Sequence, residues 1–326
     1  MSRSKKSGRM PKTLRVGGTS IEPGQRARID IPVARLSTGD SLTLSVEVLN
    51  GSKPGPSLWL SGAVHGDEVV GVAVTHRILQ ALDPEELSGV VICAPIVNVF
   101  GFISESRYLP DRRDLNRSFP GSSKGSMAAR LAALFMREVV ARCDYGIDLH
   151  AGSNDRTNLP QIRANLDDPE ALRLATAFGA PIMIHGAGPK GSLRQAAGKR
   201  GKTVLLFEGG EPRRFEEESV SVGTLGVLRV MRELGMCRQV RACRKRPVLS
   251  RSTSWVRAAQ GGIFFLETDR GRRVRKGQKI GLITGPYGQI GEDVRAPKNG
   301  LVVGHTLSPY ANRGDALVHI AETGSP

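Results

Sequence analysis

Two histidines and a glutamate in this sequence have the residue types and positions of metal ligands. His65 and Glu68 stand in SGAVHGDE, directly after an apolar run, and His150 closes the run YGIDLH. Two imidazoles and one carboxylate make a three-ligand zinc site, one ion per chain, whose fourth position stays open. An H-x-x-E pair alone is often a chance match, and an isolated His65 is more commonly a polar loop residue. Asp148 is expected to face the other side of its strand, with a structural role.

A further carboxylate, Glu208, ends the apolar run TVLLFE and is followed by two glycines. At the end of a buried strand it would be poorly solvated, which suits a general base that takes a proton from water. The alternative is an acid that caps a helix or forms a salt bridge, a role that Glu211 could equally fill. The strand end favours Glu208 as the catalytic residue.

Four arginines and an asparagine crowd the segment SRYLPDRRDLNRSFPG. They are Arg107, Arg112, Arg113 and Arg117, with Asn116 beside the last. Guanidinium groups bind carboxylates and oxyanions through paired hydrogen bonds. The segment suits an anionic substrate, although a solvated basic surface is the more common explanation when the segment is considered alone.

Short apolar runs that alternate with helical segments must position these residues. The runs LWLSGAVH, VVICAPIVN, YGIDLH, PIMIH and TVLLFE are continuous, as in strands buried on both faces. This alternation predicts an α/β fold with a mostly parallel or mixed sheet and helices on both faces. Ligands of such sheets bind at the carboxyl ends of the strands, where His65, His150 and Glu208 are placed.

Composition sets further bounds on function. The 326 residues carry a formal charge of +16, and aromatic residues make up 5%. The charge favours anionic ligands, while the few aromatics disfavour extended base-stacking surfaces. No apolar run reaches the roughly 18 residues of a membrane span, no secretory leader is recognisable, and the cysteines do not suggest a disulfide framework. We therefore expect a cytoplasmic protein without a membrane partner.

Four motifs occur in the order HGDE, DLNRSFPG, DLH and FEGG, each at a strand end or in the following loop. With this set the sequence resembles the succinylglutamate desuccinylase/aspartoacylase family, relatives of the zinc carboxypeptidases, across residues 20–326. The resemblance implies a zinc-carboxypeptidase-like fold. It also implies the zinc ligands His65, Glu68 and His150, the catalytic Glu208, a carboxylate-binding pair of Asn116 and Arg117, and Arg107 as the residue that polarises the scissile carbonyl, with Arg112 as the alternative.

The predicted domain organisation has three parts. Residues 1–20 are basic and are expected to be a disordered tail. Residues 21–245 form the predicted zinc hydrolase domain, which opens with the alternating β segments ARIDIPVARL and SLTLSVEVLN. Residues 246–326 contain short apolar runs and glycines, and they predict a small all-β, barrel-like domain.

The resemblance implies a zinc-dependent deacylase that hydrolyses the amide bond of a small N-acylated amino acid or a related amide. The expected partner is a small, carboxylate-bearing N-acyl substrate, and a homo-oligomer is left open. Two other functions also stay open. One is a carboxypeptidase-like enzyme that acts on peptides, and the other is a basic nucleic-acid-binding protein on a hydrolase-like fold, which the few aromatic residues disfavour.

Overall fold

A computed structural model describes residues 12–35, 37–238, 240–241, 243, 246–288 and 291–323. Residues 1–11 of the predicted tail, and residues 239, 242, 244 and 245 of the basic segment near the predicted domain boundary, lie outside the described residues.

The described part of the chain forms six α-helices and nineteen β-strands. The helices are α1 (Val70–Ala81), α2 (Val99–Ile103), α3 (Met127–Glu138), α4 (Pro169–Phe178), α5 (Leu193–Gly198) and α6 (Glu217–Glu233). The first ten strands are β1 (Leu14–Val16), β2 (Thr19–Ile21), β3 (Gln25–Arg35), β4 (Ser41–Asn50), β5 (Lys53–Gly62), β6 (Ser88–Ala94), β7 (Tyr145–His150), β8 (Arg156–Ala164), β9 (Ile182–His185) and β10 (Thr203–Gly210). The remaining strands are β11 (Val248–Ser250), β12 (Thr253–Arg257), β13 (Gly262–Leu266), β14 (Arg273–Val274), β15 (Lys279–Thr284), β16 (Glu292–Arg295), β17 (Gly300–Thr306), β18 (Tyr310–Ala311) and β19 (Ala316–Glu322).

A large mixed sheet forms the centre of the fold. Its strand order is β12-β19-β17-β8-β10-β7-β5-β6-β4-β3. Strands β6, β5, β7 and β10 run parallel, and β4 and β8 flank them in antiparallel orientation. The carboxyl ends of β5, β7 and β10 therefore lie at one edge of the sheet, together with the amino end of β8. The sequence analysis predicted β5, β6, β7, β9 and β10 but missed β8.

Helices cover both faces of this sheet, as predicted. On one face, α1, α4 and α6 bury a core in which the rings of Phe178 and Phe207 stack with centroids 5.4 Å apart. On the other face, α3 and α5 pack over Trp59 of β5, and Phe135 of α3 is fully buried in the same core. None of the helices in the described residues is long and apolar enough to cross a membrane.

Helix ends follow the sequence signals closely. Ser126 precedes α3, and its Oγ accepts a hydrogen bond from the amide of Ala129 at 3.3 Å. Asp168 caps α4 in the same way, and Gly179 ends that helix with φ +76°. Glycine is common directly after the last turn of a helix, where the backbone is often left-handed, because glycine has no Cβ to clash in that conformation. Ser126 and Asp168 therefore mark the starts of α3 and α4, and Gly179 marks the end of α4.

The prediction of a disordered tail over residues 1–20 is wrong for the part that the structure describes. Strands β1 and β2 pair as an antiparallel hairpin. The side chains of Val16 and Ile21 are buried in the same core as Ile29 and Ile31 of β3. Two apolar side chains in the right register are enough to dock this hairpin, even though basic residues surround them in the sequence.

The C-terminal region is all-β and continues the central sheet. Strand β11 pairs with β9, and β17 pairs with β8. Strands β16, β15, β13 and β18 form a separate antiparallel sheet. Side chains of both sheets share one core that includes Phe264, Ile283 and Ile320. The sheet thus extends across the predicted boundary at residues 245 and 246, and the division into domains stays a prediction.

Candidate active site

The three predicted metal ligands lie together at the carboxyl edge of the sheet. His65 is in the loop after β5, Glu68 precedes α1, and His150 is the last residue of β7. Their ligand atoms all lie within 4.8 Å of one another, and the three side chains are buried. Oε1 of Glu68 is 2.7 Å from Nδ1 of His65, and Oε2 is 2.6 Å from Nδ1 of His150. This group, the only one of its kind in the described residues, could hold one metal ion.

A close backbone contact fixes the loop that carries His65 and Glu68. A Cβ added to Gly66 would lie 1.9 Å from the carbonyl carbon of Gly101, so this position admits no side chain. The amide of Gly66 donates to the carbonyl of Ser106 at 3.1 Å. The HGDE loop is therefore packed against the start of the arginine-rich segment, which brings that segment to the metal centre.

Two further carboxylates orient the histidines from outside. Oδ2 of Asp148 is 2.9 Å from Nε2 of His150, and Oδ1 of Asp114 is 3.1 Å from Nε2 of His65. Metal-ligating histidines commonly bond a carboxylate through the second ring nitrogen, which fixes the tautomer and the ring orientation. The expectation that Asp148 faces away from the site is wrong, because residues two apart on a strand share a face.

The charged groups of this buried cluster shift one another's pKa values. Burial alone would raise the pKa of Glu68, but His65 and His150 lower it well below its usual range. Burial alone would lower the pKa of His150, but Asp148 and Glu68 raise it well above its usual range. An ionised carboxylate between two imidazoles is thus stable here, and a metal ion can take the place of the imidazole protons.

Arg107 lies beside the metal cluster, whereas Arg112 does not. Nη1 of Arg107 is 3.3 Å from Oε1 of Glu68, and its Nη2 donates to Oδ2 of Asp114 at 2.8 Å. Arg112 has φ +58°, and its amide donates to the carbonyl of Leu109 at 2.8 Å. Its side chain is exposed and does not line the cavity. Of these two predicted candidates, only Arg107 therefore lines the cavity, whereas Arg112 sits in a tight turn outside it, and the role of either arginine stays a prediction.

Asn116 and Arg117 stand on a short 3₁₀ helix that Asp114 caps. Oδ1 of Asp114 accepts a hydrogen bond from the amide of Asn116 at 2.8 Å. Asn116 is buried, and its Oδ1 accepts from the amide of Leu193 at 2.9 Å. Arg117 is exposed, and both residues line the cavity. The same aspartate thus orients His65 and positions the predicted carboxylate-binding pair.

Glu208 is the neighbour of His150 across the parallel pair of β10 and β7. Its Oε2 accepts a hydrogen bond from Nδ2 of Asn158 at 2.9 Å. Burial raises the pKa of Glu208, and the nearby Arg163 opposes that shift. Glu211 lies outside the cavity and accepts a hydrogen bond from Arg214 at 3.0 Å. The structure therefore places Glu208 at the predicted site and gives Glu211 the salt-bridging role.

A cavity of about 510 Å³ is lined by the three candidate metal ligands and by Asp114, Arg107, Asn116, Arg117, Asn158 and Glu208, but not by Asp148, Arg112 or Glu211. Five arginines line it, namely Arg107, Arg117, Arg156, Arg163 and Arg194. Burial, together with the like charge of Arg163, lowers the pKa of Arg194 to about 10. Nε and Nη1 of Arg194 are buried without a hydrogen-bond partner among the described residues. The cavity lining therefore carries five arginines against the three carboxylates of Glu68, Asp114 and Glu208, and the Arg194 guanidinium is incompletely paired.

The C-terminal region supplies one wall of the cavity. The rings of Trp255 on β12 and His319 on β19 stack with centroids 4.6 Å apart. The guanidinium carbon of Arg156 lies 5.0 Å from the centre of the Trp255 ring. Burial, reinforced by Arg163 and Arg156, lowers the pKa of His319 to about 3, so this imidazole is neutral. The sequence analysis missed this wall, because its residues match none of the four motifs.

Comparison with known proteins decides the family. A sequence profile of the succinylglutamate desuccinylase/aspartoacylase catalytic domain matches residues 54–234. The chain belongs to this family. It is 28% identical to the N-alpha-acetyl-L-2,4-diaminobutyric acid deacetylase of Halomonas elongata over 282 residues, which cover 82% of each protein.

Two solved structures of family proteins have the same architecture. The product-bound ectoine utilization protein EutE (DoeB) from Ruegeria pomeroyi aligns with a TM-score of 0.82 and 25% identity, over 91% of this chain and 95% of that one. A succinylglutamate desuccinylase/aspartoacylase from Rhodobacter sphaeroides aligns with a TM-score of 0.82 and 28% identity, over 93% and 96%. Family membership and fold thus agree with the predictions.

Proposed function

We propose that the protein is a zinc-dependent deacylase that hydrolyses the amide bond of a small N-acylated amino acid. The observation that carries this proposal is the buried cluster of His65, Glu68 and His150, with Glu208 at the end of the adjacent strand. The relative from Halomonas elongata is named a deacetylase, which supports the same reaction type.

The donor set fits zinc. Two imidazole nitrogens and one carboxylate oxygen are the ligands of hydrolytic zinc sites, which keep a further position open. Asp148 and Asp114 each contact the second ring nitrogen of one histidine, which is the carboxylate–histidine pairing common in such sites. When bound, zinc supplies Lewis acidity, which polarises a carbonyl and lowers the pKa of water.

Glu208 performs the proton transfers in this proposal. Its carboxylate takes a proton from water as the water oxygen forms a bond to the amide carbon. The same proton then passes to the nitrogen as the carbon–nitrogen bond breaks, which yields a carboxylic acid and an amine. The acid then loses its own proton to the amine or to solvent and leaves as the carboxylate. The raised pKa of Glu208 suits both steps, because a group that must accept and then release a proton works best near the ambient pH.

Arginines orient the substrate around this base. In this proposal Arg107 donates a hydrogen bond to the carbonyl oxygen as negative charge develops there, a role that its position beside Glu68 supports. Arg117, with the side-chain amide of Asn116, binds the carboxylate of the amino acid, a role supported by the position of both residues in the cavity lining. Two anchored groups hold the scissile bond between them, which lowers the entropic cost of reaction.

The remaining arginines favour a second anionic group in the substrate. Arg156, Arg163 and Arg194 line the same cavity, and the Arg194 guanidinium is incompletely paired. The diaminobutyrate derivative in the name of the relative carries a cationic side chain, which such a wall repels. We therefore expect acyl groups or side chains that end in a carboxylate.

A hydrolysis screen with zinc-loaded protein tests the proposal. N-acetyl, N-succinyl and N-formyl derivatives of aspartate, glutamate and 2,4-diaminobutyrate are incubated with the enzyme, and the released amine is measured. We expect hydrolysis of at least one anionic derivative and little of the diaminobutyrate compounds. Short peptides serve as the comparison, since the wall of Trp255 and His319 restricts the cavity to small substrates. Efficient cleavage of peptides alone would establish the peptidase alternative.

A further inference from the structure

Asn158 contacts the base from a strand that carries no family motif. It is buried near the start of β8 and lines the cavity. Its Nδ2 donates to Oε2 of Glu208 at 2.9 Å. A neutral amide donor orients a carboxylate and favours its ionised form without cancelling its charge. The bond engages Oε2 and leaves Oε1 for the proton of water.

An irregularity in the sheet brings Asn158 to this position. Glu208 lies opposite Gln161, whereas Gly210 lies opposite Asn158. Asn158 and Gln161 are three residues apart on β8, whereas their partners Gly210 and Glu208 are two residues apart on β10. This shift in register is a β-bulge. Pro160 stands inside this step and has no amide to donate to the ladder. Bulges beside functional sites commonly redirect a side chain, and here the bulge sets Asn158 against Glu208.

The C-terminal region holds Asn158 from the side opposite β10. Gly304 on β17 pairs with Asn158, and a Cβ added to Gly304 would lie 2.6 Å from Oδ1 of Asn158. Nη1 of Arg270 donates to Oγ1 of Thr157 at 2.8 Å and to the carbonyl of Asn158 at 3.3 Å. Because Gly304 has no side chain, the side-chain amide of Asn158 has room beside it. Arg270 fixes β8, the strand that carries Asn158.

We propose that Asn158 is a positioning residue, which holds the Glu208 carboxylate in its reactive orientation and is itself fixed by Gly304 of the C-terminal region. Asn158 has this role only if Glu208 is the base, so the inference rests on the proposed function. The C-terminal β-region then contributes to the chemical step through this contact, in addition to forming a wall of the cavity.

Two substitutions of Asn158 test the contact in the full-length, zinc-loaded enzyme. Asn158→Ala removes the donor, and we expect kcat to fall about 10- to 100-fold while KM stays within about twofold. Asn158→Asp keeps the shape but sets a carboxylate against Glu208. We expect the acidic limb of its kcat profile to move about one pH unit or more towards alkaline pH, with recovery above it. Asn165→Ala, an exposed asparagine just after the same strand, is the matched control.

The other charged groups around Glu208 are unchanged in these variants. They are Arg163 on β8, Arg194 on α5, His150 on β7, and His65 and Glu68 in the loop after β5. Zinc content and melting temperature are measured for each variant, so that loss of metal or of folding is recognised. A shift of the acidic limb at unchanged zinc content is a result that a merely structural role for Asn158 does not produce.

A double-mutant cycle tests the role of Gly304. Gly304→Ala is expected to lower kcat about tenfold by displacing the Asn158 amide. Because the added Cβ also meets the Thr157 carbonyl, the double variant with Asn158→Ala should lose less than the product of the two single losses, rather than match Asn158→Ala alone. Independent, additive losses would overturn the link to Gly304. Wild-type kcat and pH profile in Asn158→Ala, at normal zinc content, would overturn the positioning role. Glu208→Gln separates the two proposals: if it is fully active, the proposed base is wrong, whatever Asn158 does.

Discussion

Asp148 and His150 share one face of β7, and Oδ2 of Asp148 lies 2.9 Å from Nε2 of His150. The other oxygen of this carboxylate accepts a hydrogen bond from the hydroxyl of Ser61 at 2.8 Å. Ser61 thus fixes the Asp148 carboxylate, and Asp148 in turn fixes the ring of His150. In this orientation Nδ1 of His150 points at Glu68. The candidate metal site therefore depends on Asp148, a residue outside its set of three possible ligands.

Loss of this support should weaken metal binding. We expect Asp148→Ala to lower zinc affinity about 10- to 100-fold, because the imidazole loses its fixed tautomer and orientation. Competition with a chromogenic chelator measures the affinity. Asp40→Ala, an exposed aspartate that does not line the cavity, is the control. Equal affinity in both variants would show that Asp148 has no part in the metal site.

Replacement of the base should separate catalysis from metal binding. Glu208→Gln keeps the size of the side chain, and we expect full zinc content with kcat lower by about 10²- to 10⁴-fold. Glu211→Gln should be nearly normal, since Glu211 pairs with Arg214 outside the cavity. Because the pKa of Glu208 is raised, wild-type kcat should decline with falling pH earlier than an ordinary glutamate would allow. A dead Glu211→Gln beside an active Glu208→Gln would reverse the assignment.

The two candidate arginines should differ sharply. Arg107→Ala is expected to lower kcat about 10²- to 10³-fold, because the donor to the developing oxyanion is lost. Arg112→Ala should stay within about twofold of the wild type, as expected for an exposed surface residue. Steady-state kinetics on one substrate measure both. A large effect of Arg112→Ala on kcat would mean that its turn rearranges when substrate binds.

The carboxylate anchor should act mainly on binding. We expect Arg117→Ala to raise KM about 10- to 100-fold for substrates with a free carboxylate, while kcat changes little, since the contact exists in ground and transition states alike. The same substrates with an amide-capped carboxylate should be poor for the wild type and unaffected by the substitution. Equal use of free and capped substrates by the wild type would contradict the anchor.

The unpaired guanidinium of Arg194 should reduce the stability of the ligand-free protein. We expect Arg194→Met to raise the free energy of unfolding by about 1–3 kcal/mol, because a buried polar group without partners is removed. Activity on anionic substrates should fall at the same time. Denaturant unfolding and kinetics measure the two effects, with the exposed Arg130→Met as control. A destabilised Arg194→Met would indicate that the side chain is structurally paired.

The site residues that could be predicted from the sequence are those at the carboxyl ends of buried parallel strands. Continuous apolar runs mark β5, β7 and β10, and the polar residue after each run must reach the sheet edge. Strand β8 could not be found this way, because RTNLPQIRA contains a proline and several polar residues that only the folded sheet makes compatible with burial. Asn158 and Arg163 were missed with it. The expectation for Asp148 was wrong because Asp148 and His150 are two residues apart on β7, and alternate residues of a strand point to the same face.

The position of β17 has a consequence for the synthesis of the protein. It covers the edge of β8 at Arg156, Thr157 and Asn158, and it is translated about 140 residues after them. Until it emerges from the ribosome, that edge has unpaired amides and carbonyls beside the nascent active site. Open strand edges recruit foreign strands, so stalled or truncated chains should be prone to aggregation and dependent on chaperones. The proposed base would then reach its reactive orientation only after β17 has been translated, which keeps shorter chains catalytically silent.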